Sequence, residues 1–312
     1  MKRRRRRKKR RFIKRIVKMI MTLLFLVMIV NTILYIKDKN DHINLKELSV
    51  RDYIQNVDEQ GKGKVQLNWK YFAAIDGVRF KNDFSKVNED TFKNLANMFI
   101  VYDNDRKYKV RSLEDVLEQL GLKEKEEERI YKYLKDLQYV GLMNSRLRKD
   151  SPYIKFINEI SDEAIERYDE YGIFPSITIA QAILESGWGK SELSKKANNL
   201  FGIKADKSWN GEQIKMKTVE YYNKDTNSDF RVYENIGESL KDHSKFIYEN
   251  KRYRKNGVFN ASYYVEQAQA LENAGYSTKE NENGERIYAE LLIQLIRQYN
   301  LQLIDYKVQV KE

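Results

Sequence analysis

The chain has 312 residues, is 41% hydrophobic and carries a formal net charge of +12, with apolar content enough for one or two cored domains. It has no cysteine and only two histidines, His42 and His243; this excludes disulfide staples and thiolate metal sites and leaves a zinc hydrolase or a Ser-His-Asp arrangement almost nothing to work with. Nor does the charge indicate nucleic acid, because thirteen of the 58 Lys and Arg lie in residues 1–18, which hold no acid, so residues 19–312 carry 45 basic against 46 acidic residues and the body is neutral.

The basic segment 1–18 precedes Met19–Ile36, eighteen residues interrupted only by Thr22, Asn31 and Thr32. As a helix this run is about 27 Å long, enough to span a bilayer with help from its flanks. The positive-inside rule places 1–18 in the cytoplasm and everything after Lys37 outside. The expectation is a single-pass signal anchor over 19–36. A cleaved signal peptide is the alternative; the length of the apolar run and the lack of a small-x-small site count against it. Residues 37–63, rich in Asp, Asn and Lys and closed by Gly61-Lys62-Gly63, read as a polar stalk.

Residues 64–148 alternate charged and apolar positions at helical spacing. Asp90–Tyr102, a helix from a Ser112–Asp115 capping box through Leu120, and Glu124–Leu142 are its expected helices, and Trp69 belongs to the core of this accessory module rather than to a sugar platform.

The distal region, 152–302, opens at Ser151-Pro152 with an amphipathic helix carrying Phe156, Ile160, Ala164 and Tyr168 and ending at Gly172. A second helix runs from Pro175 to a stop at Gly187, and a third covers Ser191–Asn198. Strand spacing follows from Ile214 to Tyr222, a polar turn over Asn223–Asp229, and a return strand at Phe230–Tyr233. Helices resume over Gly237–Tyr248, where His243 is expected on the surface, then over Ser262–Asn273 and Arg286–Tyr299. Residues 303–312 are expected as a tail.

The second of these helices is the informative one. Ile177, Ile179, Ala180, Ala182, Ile183 and Leu184 leave it almost no solvent face, so it should be buried and central. Thr178, Gln181 and Glu185 fall on one polar stripe, which is expected to face a cleft and to place Gln181 beside a substrate. A carboxyl partly desolvated there would have a raised pKa, as a general acid near neutral pH requires. From position alone, a structural carboxylate at a helix end fits Glu185 equally well.

Four segments in order, Ala180–Gly189, Asn198–Lys204, Phe230–Tyr233 and Ala274–Thr278, resemble the successive motifs of the glucosaminidase domain of bacterial cell-wall hydrolases, glycoside hydrolase family 73. The resemblance implies an α+β, mainly helical, lysozyme-like fold and an endo-β-N-acetylglucosaminidase that cuts peptidoglycan glycan strands after N-acetylglucosamine, with no cofactor and no metal. It implies Glu185 as catalytic acid, Glu220 as the second carboxylate on the hairpin, and Tyr276 as a third catalytic residue. Asn199, Phe201 and Gly202 match the motif that shapes the cleft floor, and Tyr233 is implied on the substrate side. Trp188 and Trp209 are sugar-stacking candidates, the first weighted toward the core and the second toward the cleft rim. The family's Gly-Tyr-Ala-Thr-Asp run is here Gly275-Tyr276-Ser277-Thr278-Lys279, which puts in doubt any contact made through the aspartate.

Glycosidic cleavage needs a protonated acid at the leaving oxygen and help for the oxocarbenium-like charge on the sugar. Glu185 suits the first role and an ionised Glu220 the second; inversion, retention and assistance by the substrate's own N-acetyl group stay open. Alternatives on the same scaffold are a muramidase or lytic transglycosylase, and, from another class, a non-catalytic wall-binding protein.

Overall fold

The structure, a computed structural model, describes residues 2–103, 107–143, 147–220 and 224–311. The apolar run lies within one helix, α1 (Lys2–Asp41), of which Lys14–Thr32 is long and apolar enough to cross a membrane. Its large side chains from Met19 to Val30 stand exposed rather than packed on the body. Thr22 and Thr32 return their hydroxyls to the carbonyls of Lys18 and Met28, each at 2.8 Å, so these polar groups are satisfied within the helix.

No free stalk follows. His42 and the Ile43 N–H both reach Asp136, at 3.0 and 3.1 Å, and Ser49 caps α2 (Val50–Gly61), whose Tyr53, Ile54 and Val57 are buried. The stalk expected over 37–63 is therefore corrected. Its polar composition conceals Val50, Tyr53, Ile54 and Val57 at i, i+3, i+4 and i+7, a helical stripe that buries as well as any other. With α3 (Trp69–Arg79), α4 (Glu89–Phe99), α5 (Leu113–Leu120) and α6 (Glu124–Asp136), α2 encloses a core of Phe72, Ile75, Leu95, Phe99, Val116 and Ile130. Two ends differ from expectation. Helix α4 stops at Phe99, where Ile100-Val101 begin a short antiparallel pair, β1 (Ile100–Tyr102) and β2 (Tyr108–Val110), and α6 ends at Asp136 rather than Leu142.

The distal region contains α7 (Pro152–Tyr171), α8 (Pro175–Ser186), α9 (Glu192–Ala197), the hairpin β3 (Gln213–Glu220) and β4 (Lys224–Arg231), then α10 (Ile236–Glu249), α11 (Lys251–Lys255), α12 (Tyr264–Asn273) and α13 (Tyr288–Tyr299). Mainly helical α+β architecture with one hairpin is thus what this half adopts. Pro175 at the first turn and Gly187 in the left-handed conformation (φ 57°) bound α8. Nine consecutive buried residues, Pro175–Ile183, make α8 the central helix, packed against α7, α12 and α13; each fully buried isoleucine contributes roughly 2 kcal/mol over an exposed one.

The hairpin pairs Gln213 with Arg231 and continues in register to Glu220 with Lys224. Most of the polar stretch expected as a turn, Lys224–Asp229, is strand. Backbone pairing rather than burial specifies it, because along Gln213–Lys217 even the inner positions are only half-buried. The expected strand residues Tyr221 and Tyr222 and the turn opening at Asn223 lie outside the described residues.

The segment expected as a tail is instead helix α14 (Gln302–Lys311). Tyr306 enters the core of the first helical cluster, and Asp305 receives the Ser176 N–H at 2.9 Å and the Ser176 hydroxyl at the start of α8. A second tie joins the two halves: Tyr264 and Arg297 converge on Asp58 of α2, with Arg297 Nη2 at 3.0 Å from its Oδ2. A third runs from Trp69 Nε1 to Asn300 Oδ1, 3.2 Å, while Asn300 Nδ2 donates to the Val140 carbonyl.

Candidate active site

Glu185 lies in the last turn of α8, at the wall of a cleft of about 460 Å³ lined also by Phe201, Gly202, His243, Arg252 and Tyr276. The chain reverses immediately after it through Gly187, Trp188 and Gly189, all at positive φ (57°, 66° and 69°). A Cβ at Gly189 would lie 2.8 Å from the Phe156 ring, so the second glycine is required for space as well as conformation. Trp188, a non-glycine residue in that region, is held by edge contacts with Tyr153, Phe156 and Tyr299 at 4.7 to 6.0 Å between ring centroids. Trp188 therefore anchors the end of the helix from behind and does not line the cleft.

The carboxyl of Glu185 keeps a face open to solvent yet is closely surrounded by protein. Burial raises its pKa above the usual carboxylate range; the hydrogen bond from Tyr288 and the charge of Lys279 act in the opposite direction. Tyr288 donates to Oε1 at 3.2 Å and accepts from Gln181 Nε2 at 3.0 Å. Thus the stripe expected to face the cleft faces inward: Thr178 and Gln181 are completely buried, and of the three residues only Glu185 reaches the cleft. Gln181 supports the tyrosine that supports the acid, and has no surface with which to meet substrate.

Tyr276 stacks on Tyr288, with ring centroids 5.1 Å apart, and its hydroxyl lies 2.9 Å from His243 Nε2. Burial, the Glu185 charge and then Tyr253 hold that hydroxyl's pKa well above the ordinary tyrosine value, so it keeps its proton. His243, expected on the surface, is buried, with its ring face to face on Phe201 at 3.7 Å. Burial pushes its pKa down to about 3, which keeps it neutral. A signal for this was present: Leu240, His243, Ser244 and Ile247 share the i, i+3, i+4, i+7 face of α10, and all are buried.

The remaining expected residues divide between lining and support. Phe201 and Gly202 line the cleft. Asn199 is buried beneath them: its Nδ2 donates to the carbonyls of Ile203 and Arg231, both at 2.9 Å, and its Oδ1 accepts from the Ile203 N–H. Asn199 thereby closes the Phe201-Gly202 loop onto the hairpin base rather than contacting substrate. Tyr233 is likewise buried, giving its hydroxyl to Asp242 at 2.6 Å, and Asp242 also holds Arg231 at 2.8 and 3.0 Å. Trp209 packs against Tyr233 with the Arg231 guanidinium 4.7 Å over its ring. The cation covers one face of the indole, and Trp209 is not among the residues lining the cleft; it braces the hairpin base beside it. Glu220 ends β3 opposite Lys224, and its side chain lies outside what is described. Tyr288, Arg252 and Tyr253 join the site without having been singled out from the sequence, and His243 joins it against the expectation of a surface position.

Comparison with known proteins finds relatives for the distal half of the chain. Residues 161–301 match the glucosaminidase family model, described as mannosyl-glycoprotein endo-beta-N-acetylglucosaminidase. The exo-glucosaminidase LytG of Bacillus subtilis is 38% identical over 158 residues, 48% of this chain and 52% of the relative, and the peptidoglycan hydrolase FlgJ of Salmonella typhimurium is 35% identical over 150 residues, 46% and 45%. The chain thus spans about half the length of these curated relatives. Among solved structures, the catalytic domain of the autolysin Auto from Listeria monocytogenes is 38% identical, with 51% of this chain and 90% of that one covered at a TM-score of 0.44. The segment 161–301 thus belongs to the glucosaminidase family, glycoside hydrolase family 73.

Proposed function

We propose that this chain is a membrane-anchored peptidoglycan hydrolase that cuts the glycan strand after N-acetylglucosamine, with Glu185 as general acid. The observation that carries the reading is the placement of Glu185: a carboxyl raised by burial, gripped by Tyr288 and open to a cleft on its other side. Its place in the last turn of α8 adds the negative end of the helix dipole, which also favours the protonated form. A protonated Glu185 gives its proton to the leaving glycosidic oxygen as the bond to the anomeric carbon breaks. Tyr276 presents a neutral hydroxyl beside it, suited to an oxygen of the reacting sugar. Glu220, at the far end of a hairpin whose base borders the cleft through Arg231, is proposed as the carboxylate that meets the charge on the sugar or activates water.

The relatives named as exo-glucosaminidase and peptidoglycan hydrolase support this substrate class. The exposed apolar helix supports an anchor, and the basic residues before it support a cytoplasmic N-terminus with the catalytic half outside. We read 152–302 as the catalytic domain. The residues from α2 to α6 form a module that braces it.

Muropeptide analysis of digested sacculi tests the reading. Wild-type protein should release fragments with N-acetylglucosamine at the reducing end, and Glu185→Gln should lower their release by at least about 100-fold. N-acetylmuramic or 1,6-anhydro ends would replace the proposed linkage, and wall binding without cleavage by the wild type would overturn the enzyme reading.

A further inference from the structure

Resting on the reading of the cleft as a glycosidase site, we infer that His243 is a positioning residue that fixes the hydroxyl of Tyr276 as a hydrogen-bond donor aimed into the cleft at an oxygen of the bound sugar.

Two observations carry this. Among the described residues, only one of the two ring nitrogens of His243 meets a protein partner: Nε2 lies 2.9 Å from Tyr276 Oη, while Nδ1 is buried with none. The ring is also clamped, flat against Phe201 at an interplanar angle of 8° and edge-on to Tyr276 at 78°, so it cannot turn to exchange the two nitrogens without opening the core.

A neutral imidazole carries one N–H and one lone pair. If the proton sat on Nδ1, a buried donor would have no acceptor, the costlier of the two defects; a bare Nδ1 lone pair is the cheaper one. The proton therefore belongs on Nε2, and Nε2–H donates to Tyr276 Oη. With that direction fixed, the tyrosine's own proton cannot point back at the histidine. It points to the side of Oη away from α10, where Tyr276 lines the cleft with Glu185 and where the Tyr288 hydroxyl, already donating to Glu185 and accepting from Gln181, also faces it. A hydroxyl rotor that would otherwise choose between two directions is thus set before substrate arrives, so no reorientation is needed during the reaction. His243 touches no reacting atom in this scheme and acts wholly through Tyr276.

The chain has only two histidines, so the tautomer can be read directly. In the full-length ¹⁵N-labelled protein, long-range ¹H–¹⁵N spectra at neutral pH should show one histidine locked with its proton on Nε2, and that signal should vanish in His243→Gln. A proton on Nδ1, or a tautomer mixture, overturns the inference whether or not the protein is active. Kinetics on solubilised glycan strands supply the second arm. His243→Leu should lower kcat about tenfold with KM little changed, and His243→Gln, whose amide N–H can take the place of Nε2–H, should recover most of the loss. In a Tyr276→Phe background, His243→Leu should cost nothing further. A wild-type kcat in His243→Leu, or an undiminished loss in the Tyr276→Phe background, would assign His243 to packing alone. Failure of the wild type to cleave glycan would instead sink the glycosidase reading and leave the tautomer result standing. If His243→Leu does not fold, the spectra and the Gln variant decide the matter.

Discussion

The Tyr288 hydroxyl donates to Glu185 Oε1 across 3.2 Å, a contact between residues 103 positions apart that joins α13 to the last turn of α8. It opposes the effect of burial on the same carboxyl, because a bond to the charged form favours that form. Tyr288→Phe should therefore move the Glu185 pKa further up. A general acid works only while protonated, so the alkaline limb of the kcat profile should shift to higher pH, while the peak rate falls about tenfold as the acid loses its support. A limb that stays in place or moves down would show that Tyr288 does not act on the acid.

Lys279 stands where the family pattern has aspartate, and its charge also lowers the Glu185 pKa. Lys279→Asp exchanges an attractive charge for a repulsive one, so it should raise the alkaline limb as Tyr288→Phe does. Because Lys279 is exposed, the effect should fade as salt rises from 20 mM to 0.5 M, whereas the Tyr288→Phe shift should persist. Equal salt sensitivity in the two variants would contradict this assignment.

Asp305 is completely buried, and burial raises its pKa to about 8 against the opposing hydrogen bonds from Ser176. The folded chain then holds a proton that the unfolded chain releases near pH 4. The stability this group contributes is complete below that pH and is lost as pH rises through about 8. Thermal unfolding should show a decline in Tm from pH 5 to pH 9 that Asp305→Asn, which stays neutral and keeps an acceptor for the Ser176 N–H, largely removes. A decline of the same slope in the variant would place its origin elsewhere.

Asp58 joins the helical module to the catalytic half through Tyr264 and Arg297, and the Asp58 side chain is almost wholly enclosed. Arg297→Met leaves that carboxyl without its cation and should cost about 3 kcal/mol in urea unfolding. Adding Asp58→Asn should return part of the loss, since the uncompensated charge goes with it. Arg297 shares α13 with Tyr288, so the single variant should also reduce glycan release; unchanged stability and activity together would show that the contact does not brace the site.

Local signals determined much of this protein. Pro175 and Gly187 bound the α8 helix, Ser151-Pro152 and Gly172 bound α7, the charge asymmetry marks the N-terminal apolar helix, and Glu185 is visible as a carboxyl at the end of an apolar run. These are properties of residues within a turn or two of one another, which periodicity and backbone preference report directly. What tertiary structure alone decided is which polar groups meet. The sequence shows Gln181 on a stripe with Glu185, but whether that stripe faces water or Tyr288 depends on a helix a hundred residues away. Likewise Trp188 packs behind the site because Tyr153 and Tyr299 converge there, and Val50–Gly61 and Gln302–Lys311 fold because each finds an apolar partner surface. A burial pattern says that a face is covered; only the assembled chain says by what, and the chemistry of Glu185 rests on that partner.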